Sequence, residues 1–171
     1  RQPVRGDTVR LASGFGMRRH PILGFVRMHS GADWAAPIGT PIMSAGAGTV
    51  EEAGRKGEYG NYVRVRHANG YKTSYAHMSR FGADITEGAI VRQGQIIGYI
   101  GNTGLSSGPH LHFEVLVNNQ HVDPMSIQVP RERRLQGKQL QDFLKERARL
   151  EDLIRRPPVA TKVYDVAATR P

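Results

Sequence analysis

From His110 to Val115 polar and apolar residues take turns: Leu111, Phe113 and Val115 alternate with His110, His112 and Glu114. A period of two belongs to a strand, because successive side chains leave opposite faces of an extended backbone. Leu111, Phe113, Val115 and then Val117 look into a core, so this segment has to be a strand with one face covered. His110 and His112 share the other face. Two imidazoles side by side give a sheet no packing advantage; they suit a metal site or a proton-transfer site.

The rest of the chain up to about residue 129 supports more strands of the same kind. Tyr62–Arg66 alternates, Tyr71, Thr73, Tyr75 and His77 share a face of the next run, and Ala68-Asn69-Gly70 separates the two. Asn-Gly between alternating runs is a hairpin signal. Gly46–Val50 leads into another candidate strand. Gln95–Ile100 is a further apolar run, followed by the loop Gly101–Gly108; Asn118-Asn119 makes a second turn. No helix-period segment precedes residue 130. With 20 Gly, 10 Pro and 7% aromatic residues, the pattern is that of a mostly β chain: a compact antiparallel β-sheet domain.

After Pro130 the period changes. Leu140, Phe143, Leu144, Leu150, Leu153 and Ile154 recur at helical spacing amid charged residues, and Pro157-Pro158 ends the pattern. This predicts an amphipathic α-helix of 18–22 residues. Its stripe packs on the β-domain or on sequence outside this chain, or else serves a membrane surface or a partner. The organisation expected is therefore a leading arm or linker over 1–12, a β-domain over 13–129, and a helical extension with a loose tail over 130–171. The chain starts at Arg1 and shows no signal peptide, as expected of a segment of something longer. No apolar run reaches the length of a membrane span.

The formal net charge of +9 implies an anionic partner, and many of the basic residues fall between Arg131 and Arg156. No nucleic-acid motif or interleaving of basic and stacking aromatic residues accompanies them, so no nucleic-acid partner is expected. Without Cys, a metal site must use histidines and carboxylates. His29 and Asp33, four apart in an extended segment, could both reach one ion, and His77 ends the Tyr71–His77 run. Zinc accepts imidazole nitrogen and carboxylate oxygen, and a catalytic zinc keeps three protein ligands and one open position. The set of five exceeds three and leaves histidines over for acid–base work.

Six stretches resemble, in order, the lysostaphin/LytM-type zinc peptidoglycan endopeptidases: Phe15–Ile22, His29–Asp33, Gly39-Thr40-Pro41, Gly60–Val63, Tyr75–Met78 and Ser107–Glu114. Each is weak alone; the ordered set is specific and covers about residues 13–125. The resemblance implies an antiparallel β core with a substrate groove, a Zn2+ cofactor, and the peptide cross-links of peptidoglycan as substrate. It implies that His29, Asp33 and His112 are the metal ligands, and that His77 and His110 are the catalytic pair, sharing the roles of base and oxyanion stabiliser. His20 could line the groove and meet substrate. His67 and His121 read as structural or exposed. The activity implied is that of a zinc metalloendopeptidase working with an activated water. Its rival is a non-catalytic wall-binding scaffold that activates another hydrolase, a role taken by members lacking metal ligands; here all five positions are filled. The setting implied is the cell envelope, the periplasm of a Gram-negative bacterium or alternatively the extracellular space, with the C-terminal helix available to an envelope protein partner.

Overall fold

The computed structural model describes residues 2–19, 22, 24–127 and 135–155. The N-terminal strands are short: β1 (Arg10–Ser13), β2 (Gly16–Arg19), β3 (Val26–His29), β4 (Ala32–Ala35) and β5 (Pro41–Met43). Longer ones follow: β6 (Gly48–Arg55), β7 (Asn61–Arg66) and β8 (Tyr71–Phe81), with a 3-10 turn at Gly57–Tyr59 between β6 and β7. The set closes with β9 (Ile90–Val91), β10 (Ile96–Ile100), β11 (His110–Val117) and β12 (Gln120–Val122). Every pairing is antiparallel, in the order β1-β4-β11-β8-β7-β6-β9, with β10 joining β5 to β8 and β12 hydrogen-bonded to β11. β2 and β3 form a separate two-stranded sheet. The mostly antiparallel β fold with one C-terminal helix is the one expected.

Local chemistry explains the turns. Asn69 and Gly70 have φ of +58° and +74°, and Asn118 and Asn119 have +51° and +65°. Two consecutive left-handed residues make the type I′ turn that suits the twist of a hairpin, and Asn and Gly reach that region at least cost. Both hairpins pin β8, β7, β11 and β12 in register.

One face of this sheet is the core. Leu111, Phe113 and Val115 of β11 pack with Ile42, Val63, Tyr75, Met78 and Ile100, all buried, and the Tyr75 and Phe113 rings lie 5.3 Å apart. The expected leading arm also reaches this core: Val4 is completely buried, and Pro3 accepts a backbone hydrogen bond from Met43.

Residues 1–129 and 130–171 are two compact units. In the second, α1 spans Gly137–Arg155 and none of its residues is buried. Among the described residues no helix is long and apolar enough to cross a membrane.

Candidate metal centre

The opposite face of β11 carries the site. In the pairing register Ser13, Asp33, His112 and Ala76 stand in one row across β1, β4, β11 and β8, and Arg10, Ala35 and His110 stand in the next. Opposed residues of an antiparallel pair share a face, so His112 lies directly beside Asp33. His29 arrives from the other sheet. The chain leaves β3 at His29, passes Ser30-Gly31, and enters the main sheet at Ala32, so convergence of His29 and Asp33 comes from a crossing between sheets and not from one extended run. Gly31 makes the crossing possible: a Cβ there would collide with the Phe113 carbonyl oxygen and press on the His112 ring.

Three ligand atoms converge. Asp33 Oδ1 is 3.1 Å from His29 Nε2 and 2.8 Å from His112 Nδ1, and those two nitrogens are 3.1 Å apart. Among the described residues this is the one cluster of three His, Cys, Asp or Glu able to hold an ion. All three side chains are buried. The other nitrogen of His29, Nδ1, donates to the Gly14 carbonyl at 2.6 Å, which leaves Nε2 with a lone pair facing the cluster. Arg18 Nη2 donates to Asp33 Oδ2 at 3.0 Å, so Oδ1 alone faces inward. Two imidazoles and one monodentate carboxylate, spaced close to the roughly 3.3 Å edge of a zinc tetrahedron, fit zinc by donor type and spacing.

Electrostatics within the cluster is strong. Burial by itself would raise the Asp33 pKa, yet hydrogen bonds and charge from His112 and His29 hold it well below the ordinary carboxylate range. Burial by itself would lower His112, yet Asp33 and Glu114 push it up to about 9. Three acceptor atoms this close demand a positive charge among them, a proton or a metal ion.

His77 and His110 border the cluster. Their ring centroids are 4.7 Å apart, and His77 is 6.1 Å from His112. His110 Nε2 lies 3.8 Å from Asp33 Oδ1. Strict alternation would put His77 on the face of Tyr75, whose ring lies in the core. His77 instead has φ +59°; this left-handed twist breaks the alternation and turns its ring toward His110. Such a conformation is costly for a residue with a Cβ and marks functional sites. The loop Gly101–Gly108 orients both rings, because His77 Nδ1 donates to the Thr103 carbonyl and His110 Nδ1 to the Gly108 carbonyl, each at 2.8 Å. Burial, aided by neighbouring His110, presses His77 down to about 4 although the Thr103 carbonyl opposes it. All five residues line one open cavity of about 550 Å³, with Arg18 and Tyr59 on its walls.

His20 lies outside the described residues. His67 bonds the Ala47 carbonyl and Thr73 hydroxyl, away from the cavity. Sequence reasoning passed over Arg18 and Glu114, although Glu114 has the same strand parity as His110 and His112. It also passed over the orienting role of loop 101–108.

An antiparallel sheet bearing a His–Asp–His cluster with two further imidazoles over it has the make-up of a metallopeptidase. The model of Peptidase family M23 matches residues 27–124. The chain is 51% identical over 121 residues, 71% of its length, to the DD-carboxypeptidase/endopeptidase Mpg of Neisseria meningitidis, and spans 27% of that protein. A zinc containing peptidase from Vibrio cholerae is 42% identical with a TM-score of 0.68, over 75% of this chain and 39% of that one. The catalytic domain of lysostaphin from Staphylococcus simulans is 34% identical with a TM-score of 0.61, over 68% and 89%. The chain belongs to peptidase family M23.

Proposed function

We propose that this chain is the catalytic part of a zinc endopeptidase that hydrolyses peptide cross-links of peptidoglycan in the bacterial envelope, the periplasm of a Gram-negative cell. The observation carrying the reading is the convergence of His29, Asp33 and His112 beside two imidazoles whose Nε2 atoms are spared by backbone anchoring. The name of the meningococcal relative favours a bond of the D,D class. The net charge of +9 suits an anionic wall polymer.

His29 Nε2, Asp33 Oδ1 and His112 Nδ1 would hold the zinc ion. When bound, it supplies Lewis acidity and acidifies water. The side chains supply the proton traffic. His77, kept neutral by burial and with its Nδ1 proton given to Thr103, can only accept at Nε2, so it takes a proton from the attacking water. As the C–N bond breaks, that proton goes to the leaving nitrogen, and the new acid gives its remaining proton to the freed amine, so a carboxylate and an ammonium group result. His110, its Nδ1 likewise committed to Gly108, presents Nε2; protonated there, it stabilises the oxygen that gains charge.

Digestion of purified peptidoglycan, followed by mass spectrometry of muropeptides, tests the reading. Cross-linked dimers become monomers, chelator stops the conversion, and zinc restores it. No release by zinc-loaded protein refutes the enzyme claim, and release that ignores chelator refutes the metal.

A further inference from the structure

Glu114 is a fully buried carboxylate for which the mechanism has no use. Four segments surround it. Ser30 Oγ donates to its Oε1 at 2.6 Å, Tyr59 Oη at 3.0 Å and His112 Nε2 at 3.2 Å, while His121 Nε2 lies 3.3 Å from Oε2. Ser30 sits between β3 and β4, Tyr59 in the 3-10 turn, His112 on β11 and His121 on β12. Burying an isolated carboxylate is expensive, and this many converging donors is what makes the position tenable.

The decisive contact is with His112. A carboxylate only accepts, so the imidazole nitrogen facing it carries the proton. In the neutral ring that leaves the lone pair on Nδ1, the atom 2.8 Å from Asp33 Oδ1 and 3.1 Å from His29 Nε2. The two ring nitrogens point to opposite sides, so Glu114 stands behind the ligand and is not a fourth one. Nor does it border the cavity, where Ser30 and Tyr59 do. We infer that Glu114 is a positioning residue: it selects the tautomer of His112 that binds metal through Nδ1, and Tyr59 and Ser30 aim its carboxylate for that purpose.

This inference rests on the zinc part of the proposed function, but its readout is metal affinity and is independent of whether peptidoglycan is cut. Zinc dissociation constants are measured by competition with a chromophoric chelator for the wild type, Glu114→Gln and Tyr59→Phe. Loss of an outer partner of a metal-bound histidine costs about 10–100-fold, and Glu114→Gln is expected in that range. Tyr59→Phe, which keeps two of the three donors to Oε1, is expected to weaken zinc about threefold. In the zinc-loaded wild type the 15N-labelled His112 ring is expected to show a slowly exchanging proton on Nε2; in Glu114→Gln this signal should shift or exchange away, a change that a purely packing role would not produce. If Glu114→Gln fails to fold, Tyr59→Phe and Ser30→Ala remove single donors from the same carboxylate and are read the same way. Zinc affinity within twofold of wild type in the folded variants overturns the inference, as does an unaltered Nε2 signal. Weakened zinc binding in a protein that cuts no peptidoglycan would leave it standing and refute the activity alone.

Discussion

His112 and His77 are the same side chain in the same cavity, with ring centroids 6.1 Å apart, yet their basicities move in opposite directions. Burial acts on both and favours the neutral ring. At His112 hydrogen bonds to Asp33 and Glu114 overcome burial and push the ring up to about 9; at His77 the hydrogen-bond support is the neutral Thr103 carbonyl, burial wins, and the ring falls to about 4. The difference lies in the supports. His112 in the ligand half leans on two carboxylates, Asp33 of β4 and Glu114 of β11, which favours positive charge there. The proton half leans on neutral carbonyls of one loop, which leaves an imidazole able to receive a proton.

The sharpest way to separate the halves is to delete one ring from each. His112→Ala is expected to lose zinc by at least about 100-fold, more than loss of an outer partner costs, and activity with it. His110→Ala should retain zinc while turnover falls about 10²–10⁴-fold. Zinc content after dialysis, set beside muropeptide release, reads both, and loss of zinc in both variants would break the division. Next comes Gly31→Ala, where the added methyl strikes the Phe113 carbonyl. Forcing the seam between β4 and β11 apart should cost about 1–3 kcal/mol in denaturant unfolding and weaken zinc, because His29 and His112 both border that glycine.

A subtler change loosens only the proton half. Thr103 Oγ1 donates to the Met78 carbonyl at 2.8 Å and accepts from the Asn61 amide at 3.0 Å. Thr103→Ala should slow turnover about tenfold through misplacement of His77 and leave zinc affinity unchanged; an equal fall in both would show that the two halves share their support. The smallest effect on activity is expected at His67, whose ring has carbonyl anchoring like that of His77 but faces Thr73 and not the cavity. Burial lowers its pKa below 6.5, more than the Ala47 carbonyl raises it. The unfolded chain therefore binds a proton at this ring first, so the contribution of His67 to stability is complete above about pH 6.5 and declines as the pH falls below it. His67→Gln should flatten that decline in urea unfolding between pH 7 and 5, with activity at neutral pH within about twofold. A larger loss of activity would mean that carbonyl anchoring matters beyond the cavity.

Much of this arrangement could be read from residues alone. Alternation around His110 and His112 set their common face, the Asn-Gly and Asn-Asn pairs marked turns whose left-handed angles the structure bears out, and the apolar stripe from Leu140 to Ile154 lies within α1. What escaped was non-local or was backbone geometry. The face of His77 depends on one φ angle that alternation cannot encode. The 3- and 4-residue strands β1–β5 are too short for a period to show. Val4 sits in a polar arm, yet it lies in the core, beside the backbone hydrogen bond from Met43 to Pro3. Glu114 carried the parity signal, but its meaning depends on Ser30 and Tyr59, 84 and 55 residues away.

The pairing of β4 with β11 bears on how the protein comes into being. Asp33 and His112 are 79 residues apart, and β5 to β10 occupy the chain between them. A chain emerging from synthesis offers an ion only the neighbouring His29 and Asp33 until β11 has been made and has docked. Closing so long a loop is a slow, late event in folding. High-affinity zinc uptake should therefore wait for β11 to dock on β4, and the rate at which refolding protein captures zinc becomes a clock for that pairing.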